Sequence, residues 1–230
     1  MKPQSNEQVK FVVPAVIALA VGFLWLCLLG GSPVKIESST LISSGAAYLP
    51  LITQGEWWRL LFASALHGGV LFLVVNCICL FRIGGIAEKI FGAARCLAIF
   101  ILAAAAGNLL SLYCYPFIPA VGAAGAIAGL FGALWGAILS EPQKVPQFKK
   151  DPLTIGLFLG MNLLAIRNGS LLAMSLGGFV AVWTAMLSRT VVMAAVLCLN
   201  SLAAAVRTDT SATDLDTFIF VLFLLRHFIS

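Results

Sequence analysis

The chain has 230 residues, 61% of them hydrophobic and only 10% charged, with a formal charge of +5 and a mean hydropathy of +1.04. A soluble domain is nearer half apolar and a quarter charged, so the composition excludes an ordinary soluble enzyme or binding module. The positive charge does not imply nucleic acid, because in a membrane chain it is the distribution of basic residues among loops that carries information.

The first apolar run, Phe11 to Gly30, is longer than the hydrophobic core of a signal peptide. It predicts a first transmembrane helix, with Pro14 in the first turn, where a missing N–H is harmless. Gly31 to Glu56 is a mixed loop, and the pair Trp57-Trp58 marks the next membrane interface. A second helix is expected from about Leu60 to Ile83, broken by Gly84-Gly85 and followed by the charged end IAEKIFG. A third is expected from Cys96 to Tyr113, and a fourth from Val121 to about Leu139. EPQKVPQFKKDP is a polar linker. Beyond it, Leu153–Ile166, Ser170–Leu187 and Thr190–Val206 read as a fifth, sixth and seventh helix. Phe218–Ile229 is apolar but short, contains Arg226 and His227, and reads as interfacial or re-entrant. The expected organisation is a cytoplasmic tail over 1–10, a membrane domain over 11–188, and an extra helix with an apolar tail over 189–230.

With the amino end inside, nine basic residues fall on inner segments and four on outer ones, which supports a cytoplasmic N-terminus. The short loops suggest the inner membrane of a bacterium. The six cysteines, Cys27, Cys77, Cys79, Cys96, Cys114 and Cys198, form no CxxC pair. They read as packing residues, and neither a metal nor a cofactor is expected. No feature of the sequence sets an oligomeric state.

The fourth helix raises a specific question. Gly122, Gly125, Gly129, Gly132 and Gly136 alternate spacings of three and four, which puts them along one side. In lipid, small residues let helix backbones approach and pack. Helix six offers a matching small patch at Gly177-Gly178. Close helix packing follows from this spacing; a function does not.

Read in order, GEWWRLLFASALHGGVLFLVVN, GGIAEKIFG, VGAAGA and SLGGF resemble the rhomboid family of intramembrane serine proteases. The resemblance covers roughly Leu41 to Leu187. It implies an all-α, rhomboid-like six-helix transmembrane bundle, here with an extra C-terminal helix. It also implies a serine between glycines early in helix four, paired with a histidine before the small patch of helix six. A serine backbone amide, with a histidine and an asparagine of helix two, would meet the developing oxyanion.

This chain departs from that pattern. The serine position is Ala124, the histidine position is Ser175, and the second helix-two histidine is Phe72. An aromatic position one turn after the serine is Ala128. Only Asn76 remains of the reacting side chains. A methyl group cannot attack a carbonyl, and the chain has only two histidines, His67 and His227. No lysine lies within an apolar span to act as a base instead. His67, Trp58, Arg59 and Glu88 fall at positions expected to be structural. Glu88 and Lys89 are expected at a solvated helix end or in a loop contact. Asn76 is expected to make an interhelical hydrogen bond, and Ser175 to bond back to its own helix.

The expectation is a proteolytically inactive pseudoprotease that binds transmembrane segments of other membrane proteins within the lipid bilayer. Gly122, Gly125, Gly177 and Gly178 would line the client site. Two alternatives stay open: an active intramembrane serine endopeptidase with a rearranged site, and a structural or assembly subunit of a membrane complex.

Overall fold

The structure is a computed structural model that describes residues 10–30, 32–140, 152–153, 156, 160 and 175–180. The helices expected at 190–206 and 218–229 lie outside the described residues, as does most of the fifth. Among the described residues the fold is all-α, with a single isolated antiparallel bridge between Ala47 and Ala120.

Helix α1 spans Val12–Leu28. Its amino end has no local side-chain cap. Instead the Glu88 carboxylate accepts hydrogen bonds from the amides of Phe11 at 2.8 Å and Val12 at 3.1 Å. Gly30, at φ 89°, takes the left-handed conformation that ends the helix. The loop that follows is bonded rather than loose. It carries α2 (Ser38–Ser43), α3 (Leu49–Ile52) and α4 (Arg59–Phe62), the last running into a 3-10 turn at Ala63–Ala65.

The second membrane helix differs from its expected limits at both ends. It starts at Val70, because the chain is extended at Leu66 and Gly69 lies against Val34, where an added Cβ would come within 2.5 Å of the Val34 carbonyl oxygen. It also runs straight past Gly84-Gly85. Helix α5 (Val70–Cys79) continues through a π-helical turn at Leu80–Gly84 into α6 (Gly85–Phe91). Gly84 does not break the helix. It lets α1 approach, since a Cβ there would lie 2.9 Å from Val12 Cγ2. The break comes at Gly92, at φ 83°.

Helix α7 spans Ala93–Cys114 and α8 spans Ala124–Ser140. Val70–Phe91 and Ala93–Cys114 are each 22 residues long and apolar enough to cross a bilayer. The 17-residue α1 and the apolar α8 are shorter. Helix α8 is the centre of the bundle, with every residue from Gly122 to Leu134 buried. Around it pack Val12 and Leu19 of α1, Leu80 and Ile83 of the π turn, and Ile99 and Ala103 of α7. A second apolar cluster, containing Phe23, Leu26, Ile36, Leu41 and Leu66, closes the loop end.

Candidate functional site

The site is built where the first turn of α8 meets the short helical stretch at 175–180. Gly122 sits at φ 113°, a conformation that favours glycine, and its amide donates to the Ala63 carbonyl at 3.0 Å. This pins the start of α8 to the 3-10 turn. Ala124, the first residue of α8, is buried.

The glycines on either side explain the approach. A Cβ on Gly178 would overlap the Gly125 carbonyl and lie 2.9 Å from Gly125 Cα. A Cβ on Gly177 would lie 3.0 Å from both the Ala106 oxygen and Gly107 Cα of α7. One residue further on, the Phe179 carbonyl oxygen lies 2.9 Å from where a Cβ of Gly132 would be. The 175–180 turn is thus wedged between α7 and α8, backbone against backbone. Gly125, Gly177 and Gly178 are taken up by contacts inside the molecule, so a second chain would meet the atoms beside them.

These contacts set the turn that carries Ser175 against the turn that carries Ala124. Ala124 presents a methyl group. Ser175 is buried, and its Oγ has no hydrogen-bond partner among the described residues. The carbonyls three and four residues before it, which the expected back-bond would use, lie outside the described residues.

Asn76 lies on α5, one turn after Phe72, and is buried. Its Nδ2 donates to the Phe72 carbonyl at 2.9 Å, while Oδ1 has no partner among the described residues. The bond stays within its own helix instead of reaching across to another, because the i−4 carbonyl is the acceptor within reach.

His67 precedes α5 and is 1% exposed. Neither ring nitrogen has a hydrogen-bond partner among the described residues. Burial pushes the imidazole down to about 4, opposed only in part by the Ala65 backbone. The described histidine is therefore neutral near pH 7 and makes no contact with Ser175 through a hydrogen bond.

Arg59 is buried and held by three hydrogen bonds. Its Nε donates to Glu56 Oε2 at 2.7 Å, and its Nη1 donates to the carbonyls of Ile42 at 2.7 Å and Ala46 at 3.2 Å. The guanidinium lies 5.0 Å from the centre of the exposed Trp58 ring, which in turn meets Phe62 edge-on. Gly45, at φ 107°, makes room for both rings.

Sequence reasoning missed Asn108. It is fully buried on α7, and its Nδ2 donates to the Leu60 carbonyl at 2.6 Å and to Ser64 Oγ at 3.3 Å. The signal that singled out Asn76, a polar side chain within an apolar span, is equally present at Asn108. Glu88 was also misplaced: it is neither a solvated end nor a loop contact, but the cap of α1. Among the described residues no group of three or more His, Cys, Asp or Glu side chains could hold a metal.

Two of the described helices are long and apolar enough to cross a membrane, which fits an integral membrane protein. Residues 54–190 match the Rhomboid domain, and the chain belongs to the rhomboid family. It is 38% identical over 125 residues to Rhomboid protease GluP of Bacillus subtilis, covering 54% of this chain and 24% of that protein. It is 31% identical over 125 residues to Rhomboid-like protease 3 of Toxoplasma gondii, covering 54% of this chain and 47% of that one. With Rhomboid protease AarA of Providencia stuartii it shares 28% over 153 residues, covering 58% and 54%. The matches thus span from about a quarter to about half of these relatives' own lengths.

Proposed function

We propose that this chain is a proteolytically inactive rhomboid that binds transmembrane segments of other membrane proteins. One observation carries the proposal. Glycine contacts hold the 175–180 turn against α8, while the side chains at 124 and 175 are a methyl group and a hydroxyl with no hydrogen-bond partner among the described residues. Catalysis needs both a nucleophile and a group that takes its proton. Retained packing without that pair fits a scaffold kept for recognition. The named proteases among its relatives support descent from an enzyme, and fold alone does not carry activity.

Clients would enter beside Ala124, between helices, and apolar segments weakened by Gly or Pro would suit such a site. The chain would lie in the cytoplasmic membrane of a bacterium with its amino end inside. The excess of basic residues on the inner segments supports that orientation, and the short loops support the compartment.

The test is a photoreactive residue at position 124 in native membranes, combined with labelling of the wild-type protein by a serine-directed phosphonate. The expected result is a discrete adduct with another protein's transmembrane segment and no phosphonate label. A phosphonate label at any intramembrane serine would make the chain an active protease. Adducts with lipid or with the chain itself alone would make it a structural subunit.

A further inference from the structure

A groove of about 520 Å³ lies away from the catalytic position, between α1 and α7. Its walls are apolar: Pro14, Ala18 and Leu19 on one side, Leu97 and Phe100 on the other. It is roofed by Leu61, Ser64 and Ala65 of the α4 and 3-10 segment. Among the described residues Lys10 is the one charged residue in its lining, and it has no ion-pair partner there.

The groove has a length and a polarity. From Lys10 to Leu19 it follows α1 for about 13 Å at 1.5 Å per residue. That is close to half of the roughly 30 Å hydrocarbon core, the depth of one leaflet. Both helices start from the same face, because Glu88, just before α7, holds the first amides of α1. Lys10, Lys89 and Arg95 gather at that face. Glu88 is the acidic group there among the described residues, and its two oxygens are occupied by the Phe11 and Val12 amides.

We infer that this groove seats an acyl chain of an anionic glycerophospholipid of the inner leaflet, with the lipid phosphate at Lys10. An apolar trough of about one leaflet's depth fits a chain tail. The lysine at the open end supplies the preference for negative headgroups. A basic side chain near an anionic surface is worth roughly a fivefold change in occupancy.

The test uses the full chain in phosphatidylcholine vesicles, with spin-labelled phosphatidylglycerol or spin-labelled phosphatidylcholine as the probe. The immobilised fraction is read by electron paramagnetic resonance. The wild type is expected to prefer phosphatidylglycerol, and Lys10→Gln to reduce that preference about fivefold. Lys35→Gln, in the loop after α1, should leave it unchanged. Ala18→Phe and Ala94→Phe fill the groove from opposite walls at exposed positions. Each should remove one immobilised lipid per protein, whichever headgroup is used. Two substitutions on separate helices guard against a local packing fault in either. If neither changes the number of immobilised lipids, the groove holds no lipid and the inference is overturned. It is equally overturned if Lys10→Gln leaves the preference intact.

Discussion

The unpartnered imidazole of His67 has a measurable consequence. Its folded pKa, about 4, lies below the ordinary 6.5, so between those values the unfolded chain binds the proton and the folded chain does not. Stability from this residue is complete above pH 6.5 and is lost as the pH falls toward 4. The span amounts to about 3 kcal/mol at 1.36 kcal/mol per unit. Thermal melts of the detergent-solubilised protein should fall more steeply from pH 6.5 to 4.5 than those of His67→Gln. Parallel curves for the two proteins would show that His67 is protonated in the fold. Glu88 predicts differently. Removing its carboxylate in Glu88→Ala leaves the Phe11 and Val12 amides unbonded, at a cost of about 2 kcal/mol. Hydrogen exchange at the start of α1 should accelerate, while the middle of α7 stays protected.

At the scale of helices, the glycines separate into two kinds. Gly178→Ala would drive a methyl group into the Gly125 backbone, where no flexible side chain can yield, and should cost about 3 kcal/mol or more. Gly85→Ala has nothing within 4 Å of the new Cβ. It lies in a helix with ordinary backbone angles and should gain up to about 1 kcal/mol. Melting temperatures of the two variants, measured side by side, check both signs. The membrane spans were legible because an apolar run of bilayer length has few other uses. The ends of helix two were not. Gly84-Gly85 resembles a breaker locally, and only the presence of Val12 beside it shows that the residue serves close packing. The late start at Val70 was equally hidden. It is fixed by the Val70 amide donating to the Pro33 carbonyl at 2.8 Å and by the contact of Gly69 with Val34. Pairings this distant leave no periodic trace in the sequence.

For the molecule as a whole, the family was legible as a set of ordered fragments, and the structure brings the glycines of helices four and six together. What the fragments did not convey is how completely the glycines are used in doing so. A scaffold that still opposes positions 124 and 175 should accept the missing pair. The double variant Ala124→Ser with Ser175→His is expected to react with a fluorophosphonate. Ala124→Ser alone should not, because an unactivated hydroxyl is a weak nucleophile. Reaction should be slow, since Phe72 supplies no oxyanion donor and each such donor is worth about 10²–10³ in rate. A double variant that folds but never labels would show that the two turns no longer meet in register.

The clasp between Glu88 and the first amides of α1 also sets a schedule. The two partners are separated by 77 and 76 residues of chain. At synthesis rates of about 5–20 residues per second, Glu88 emerges roughly 4–15 s after Phe11. Through that interval the newborn first helix has its amino end uncapped. It is sealed only when the ribosome has delivered the returning hairpin, so the bundle closes from its second helix backward onto its first.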